Sequence, residues 1–85
     1  MKVVFTKHAT KKFTDLKLLG VFLSRKKIFS IIDKPLRTDK SSDYPNVIAC
    51  GELDQTHVIL VVYKIEDDII TIITFFPGRK RRYLK

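Results

Sequence analysis

Two short runs in this 85-residue chain hold the side chains able to move protons or grip phosphate. The first is Thr6-Lys7-His8. Imidazole titrates near neutrality without help, so His8 suits general acid–base work, and Lys7, Lys11 and Lys12 beside it would draw in phosphate. The second run is Pro77-Gly78-Arg79-Lys80-Arg81-Arg82-Tyr83. Guanidinium forks match phosphate oxygens two at a time, and Tyr83 can stack on a base or pass a proton. Each has a plain alternative: a surface histidine on a basic helix, and a disordered basic tail.

A third cluster, Arg25-Lys26-Lys27, falls in the first turn of a predicted helix, where the macrodipole disfavours cations by roughly 0.3–1 kcal/mol each. Three cations beside exposed amides would suit an anion. The remaining candidates are weaker. His57 and Cys50 lie in predicted strands and read as core residues, and the acids Glu52/Asp54 and Asp67-Asp68 sit in or beside hairpin turns. One cysteine and two histidines are too few for a structural zinc site or an internal disulfide, so no metal is expected. With three glycines there is no Walker loop or dinucleotide fingerprint, and no cofactor is expected.

The elements that must position these residues follow from periodicity. Lys2–Phe5 suits a first strand. Thr6 can cap a helix carrying Ala9, Phe13 and Leu16 at i, i+4 and i+7, closed by Gly20. Ser24 can cap a second helix with Ile28, Ile31 and Ile32 inward, stopped at Asp33-Lys34-Pro35. Residues 36–45 are polar and read as a loop. Val47–Leu53, His57–Ile65 and Ile69–Phe76 are rich in β-branched and aromatic residues with short polar links, which predicts an antiparallel meander, the last two strands buried on both faces. Gly51 is expected to mark a bulge, Pro77-Gly78 to end the sheet, and 79–85 to form a basic tail. The order is β-α-α-β-β-β: one α+β domain over 1–85, two helices packed on one face of the sheet.

The charge is unevenly placed. Net charge is +8, but residues 1–40 carry +8, residues 41–78 carry −5, and residues 79–85 carry +5. Two cationic blocks therefore flank an acidic meander, which favours polyanionic partners. The longest apolar runs are about six residues, far short of the ~18–20 needed to span a bilayer. With no apolar leader at the N-terminus, a cytoplasmic protein with no membrane partner is expected.

Phe5-Thr6-Lys7-His8-Ala9, the helix end Asp33-Lys34-Pro35, the strand Val58-Ile59-Leu60-Val61-Val62-Tyr63 and the closing Ile72-Ile73-Thr74-Phe75-Phe76-Pro77-Gly78-Arg79-Lys80-Arg81-Arg82-Tyr83 together resemble one group. It is a set of small bacterial, archaeal and phage proteins described as a domain of unknown function. That group is similar to the BrnT toxins and, more distantly, to the RelE/ParE toxin superfamily. The resemblance spans nearly the whole chain. It implies a RelE-like fold and a metal-independent endoribonuclease, the toxin of a toxin–antitoxin pair, which drives attack of a ribose 2′-hydroxyl on its own phosphodiester. Carried onto this chain, it makes His8 the general base or acid and sets Arg79 and Arg81 on the pentavalent phosphate, with Lys7 and Tyr83 in support. Lys11, Lys12, Arg25, Lys26, Lys27, Lys80 and Arg82 would bind the nucleic acid. RNA, including ribosome-bound mRNA, and an acidic antitoxin are the implied partners.

This site needs the first strand parallel to the last, so that His8 and Arg79 emerge at one end of the sheet. A binding module of the same fold that holds nucleic acid or the ribosome without proton transfer is the alternative. An interaction protein whose basic groove receives an acidic partner is the third.

Overall fold

Local capping sets both long helices of the computed structural model, which describes residues 2–84. Thr6 accepts a hydrogen bond from the Ala9 amide (3.0 Å) and starts α1, Lys7–Leu18. The Val21 amide bonds back to the Leu16 carbonyl, and that of Gly20 (φ +83°) to Lys17, which closes the helix in a Schellman turn. Ser24 caps α2, Arg25–Asp33, by accepting from the Lys27 amide (3.0 Å).

The strands are β1 (Lys2–Phe5), β2 (Arg37–Asp39), β3 (Val47–Glu52), β4 (His57–Glu66) and β5 (Ile69–Arg79), followed by the single-turn helix α3 (Lys80–Tyr83). They form one sheet ordered β1-β5-β4-β3-β2. β1 runs parallel to β5, and every other pairing is antiparallel. The protein is thus α+β, with α1 and α2 on one face of a mainly antiparallel sheet.

Alternation along the central strands makes two cores. Ile59, Val61 and Tyr63 of β4 join Ala49, Ile72 and Phe75 under Ala9 and Leu16 of α1 and Ile28 and Ile31 of α2. Phe13 rests on Phe75, ring centroids 4.7 Å apart. The opposite face carries Val58, Leu60 and Cys50, covered in part by Ile48, Phe76, Tyr83 and Leu84. β4 is buried on both faces over Val58–Tyr63, as its unbroken apolar run predicts; β5 is only partly so.

Four expectations are corrected. The polar segment after Pro35 is not all loop: Arg37–Asp39 pairs with Ile48–Cys50 as an edge strand, too short and too exposed to leave an alternating pattern. Gly51 marks no bulge, since it pairs in regular register with Ile59. Its missing side chain instead leaves room for Ile31, whose Cγ1 would collide with any Cβ there. The register shift lies between Val62 and Tyr63, where Ile73 is the extra residue of β5. Finally, Pro77-Gly78 does not end the sheet. β5 continues to Arg79, and Pro77 is tolerated because β1 stops opposite Ile72 and leaves that side of β5 without a neighbouring strand. The expected tail is consequently ordered through Leu84 as strand end and helical turn, while Lys85 lies outside the described residues.

Candidate functional site

The face of the sheet away from α1 and α2 is open and carries a groove of about 580 Å³. Ile48, Cys50, Leu60 and Phe76 form an apolar floor, and Arg37, Lys40, Arg82 and Tyr83 stand around it. The tail builds one wall. At Gly78 a Cβ would fall on the Tyr83 ring, so the bare backbone is what lets that ring settle against the sheet. The other wall comes from β2. Arg37 donates from Nη1 to the Tyr83 carbonyl (3.1 Å), tying the edge strand to the tail across 46 residues of sequence.

The groove's electrostatics are one-sided. Its single acid, Asp39, accepts from the amides of Ser41 (2.9 Å) and Ser42 (3.0 Å) and from the Ser41 hydroxyl (3.2 Å). The Ser42 side chain and these amides hold its carboxyl far below the usual range. Its charge is therefore engaged by its own turn. Burial pushes the Cys50 thiol up, against a weaker opposing pull from Arg37, so Cys50 serves as floor and not as nucleophile.

His8 reaches the same face from its edge. Thr6 ties the start of α1 to the bulge, its amide to the Ile72 carbonyl (3.1 Å) and its hydroxyl to the Ile73 carbonyl (3.1 Å). His8 Nε2 then lies 3.1 Å from Thr74 Oγ1. Thr74 pairs with Val62 and Phe76 with Leu60, so both share the open face, two residues apart.

The expected partnership of His8 with Arg79 does not form. β1 and β5 are parallel as the site requires, but β1 ends opposite Ile72, and Arg79 follows Thr74 by five residues, about 16 Å along a strand. Arg79 and Arg81 line a separate hollow of about 420 Å³ with Pro77, Gly78, Arg82 and Tyr83. Arg82 and Tyr83 border both spaces. Lys7 and Lys11 are exposed on α1, and Lys12 is half-buried.

The cluster at the start of α2 is partly taken up inside the molecule. The Arg25 guanidinium lies 4.4 Å from the Phe5 ring centroid and 5.8 Å from that of Phe13. A cation–π contact at an exposed site is worth about 0.5–1 kcal/mol, which offsets the dipole penalty without any bound anion. Lys27 acts on Glu52, whose carboxyl is held low chiefly by Lys80 Nζ at 2.9 Å. Lys26 is exposed.

Sequence reasoning passed over Arg37 and Lys40, the groove's far wall, because nothing in 36–45 signals a strand facing the tail. It also placed His57 in the core. His57 instead opens β4 with its side chain 38% exposed, held by Asp54. An Asp-x-x-His turn before an apolar strand was the available signal. Among the described residues no three His, Cys, Asp or Glu side chains converge as a metal would need, and no helix is long and apolar enough to cross a membrane.

No family model, curated protein or solved structure matches this chain.

Proposed function

We propose that this protein is a metal-independent endoribonuclease of RelE-like fold, acting in the cytoplasm on single-stranded RNA laid over the open face of its sheet. The observation that carries the reading is the groove. Three cations from two distant segments, Arg37, Lys40 and Arg82, surround an apolar floor with Tyr83 at its wall, and the one acid present is occupied by its own turn. Cations take the phosphates, and an aromatic ring with an apolar floor takes the bases.

Cleavage would proceed by in-line attack. His8 Nε2, freed from Thr74, accepts the proton of a ribose 2′-hydroxyl, whose oxygen bonds to the adjacent phosphorus. The P–O5′ bond breaks and O5′ takes a proton from water, leaving a 2′,3′-cyclic phosphate and a 5′-hydroxyl, while His8 returns its proton to solvent. Arg82 and Arg37 stabilise the charge that develops on the phosphoryl oxygens, which is usually the largest catalytic contribution. Tyr83 orients the strand. Lys7, beside His8, acts on a neighbouring phosphate. An acidic antitoxin would compete for the same face.

One observation favours the second reading, a module that holds RNA without cutting it. His8 contacts Thr74, about 13 Å along β5 from Gly78, where the Tyr83 ring sits. Incubating a single-stranded RNA in EDTA with the wild-type protein, His8→Ala and Arg82→Ala separates the two. Cleavage that disappears in both folded variants supports the nuclease. RNA that is bound by all three proteins and cut by none supports the module.

A further inference from the structure

The end of the sheet beyond the groove holds a second constellation, built on the histidine that sequence reasoning set aside. His57 opens β4, and its Cα partner across the strand pair is Arg79, the last residue of β5. Directly opposed residues in an antiparallel pair project to the same face about 5 Å apart. The turn before His57 and the start of α3 are joined as well. The Lys80 amide donates to the Thr56 carbonyl (2.9 Å), and Lys80 Nζ reaches Glu52 (2.9 Å). His57, Arg79 and α3 thus meet at one corner of the sheet.

The imidazole in that corner is oriented. Asp54 Oδ1 accepts from the amides of Thr56 (2.8 Å) and His57 (2.7 Å) and lies 3.1 Å from His57 Nδ1, while Thr56 Oγ1 lies 2.8 Å from the same ring nitrogen. With the Nδ1 proton given to Asp54, Nε2 is left without a partner among the described residues. Both neighbouring acids are engaged: Asp54 by its turn, Glu52 by Lys80. No ion pair among the described residues involves Arg79 or Arg81, and both are exposed and border the same hollow.

With the ring protonated, Nε2 donates as Nδ1 does. Beside two guanidinium groups that form no ion pair among the described residues, it presents donors to a compact anion with several acceptor oxygens. We infer that His57, Arg79 and Arg81 form a binding site for a terminal phosphate, a dianionic phosphomonoester, separate from the groove. The proposal rests on the RNA reading for the source of that phosphate. His57 and Arg79 alternate with the open-face residues Val58 and Gly78, so the ligand is the 5′ end of a strand that leaves the groove over the end of the sheet. A free phosphate or mononucleotide carries the same chemistry.

Two measurements test the site and keep the readings apart. The first is an NMR titration of the full chain with inorganic phosphate, followed at the His57 imidazole. Saturable shifts at His57 that vanish in Arg79→Gln are expected. No saturable shift, or an undiminished one in that variant, overturns the site whether or not the protein binds RNA. The second compares a 5′-phosphorylated oligoribonucleotide with its 5′-hydroxyl counterpart by fluorescence anisotropy. About tenfold tighter binding of the phosphorylated strand is expected, as charge-assisted bonds to a charged group warrant. That preference should be lost in His57→Gln and Arg79→Gln, while Arg37→Gln weakens both strands equally. Equal affinities for the two ends, with the phosphate shifts present, overturn the RNA end as ligand and assign the site to free phosphate.

Discussion

The two cationic blocks are nearly indistinguishable as sequence, yet the fold uses them differently. At the start of α2, Arg25 is held over the Phe5 and Phe13 rings, while Lys27 adds only a minor pull on Glu52, whose partner is Lys80. In the tail, Lys80 pairs with Glu52 and Arg82 lies 5.7 Å from the Tyr83 ring centroid, while Arg79 and Arg81 have neither a carboxylate nor an aromatic face among the described residues. The three arginines border two adjoining hollows, one of them shared with Arg37 and Lys40. Net charge by segment cannot separate these cases. What matters for a polyanion is whether a guanidinium already has a carboxylate or an aromatic face to occupy it.

Substitutions can break or sharpen this contrast. The largest effect is expected from Gly78→Val, which would drive the Tyr83 ring off the sheet and open the tail wall of the groove. RNA affinity should fall by about tenfold or more, as expected for losing a charge-assisted contact along with a stacking ring. Anisotropy with a labelled single-stranded RNA measures it, and a variant that keeps wild-type affinity places the binding surface elsewhere. Arg37→Gln should weaken binding by a smaller factor and lower the salt dependence of log K by about 0.7, the share of one phosphate contact on a single strand.

Arg25→Gln should act on the other axis. Removing its contact with Phe5 is expected to lower stability by about 0.5–1 kcal/mol in urea unfolding, with RNA affinity unchanged. A drop in affinity without loss of stability would mean that the α2 block binds RNA after all.

The smallest expected effect concerns pH. Asp39, Glu52 and Asp54 all have carboxyls held below their ordinary values, by the Ser42 side chain, by Lys80 and by the Thr56 amide respectively. A carboxyl depressed in the folded state stabilises it above the unfolded pKa, and that contribution is lost as pH falls toward the folded value. The melting temperature should therefore decline as pH drops below about 4, and the decline should be shallower in Asp39→Asn.

Much of the architecture was legible because its determinants are local. Thr6 and Ser24 cap their helices with their own side chains, the Gly20 turn closes α1 within five residues, and the apolar run Val58–Tyr63 announces a strand buried on both sides. What escaped depends on distant partners. Arg37–Asp39 becomes a strand because β3 offers it an edge, and its three polar residues carry no pattern of their own. The register that parks His8 at Thr74 instead of Arg79 is set by where β1 stops against β5, which no spacing within either strand reveals. His57 begins β4 at its exposed end, so a residue read as core by position in an apolar run is half open to solvent. The candidate site was therefore half visible, as Arg82, Tyr83 and His8, with the Arg37 and Lys40 wall supplied by the fold.

The central claim is that RNA lies on the helix-free face. Backbone amide shifts measured by NMR on titrating a short single-stranded RNA into the labelled protein test it most directly. The account predicts the largest changes at Arg37, Lys40, Cys50, Leu60, Phe76, Arg82 and Tyr83, with little change along α1 and α2. Changes concentrated instead at Lys11, Lys12, Lys26 and Lys27 would contradict it.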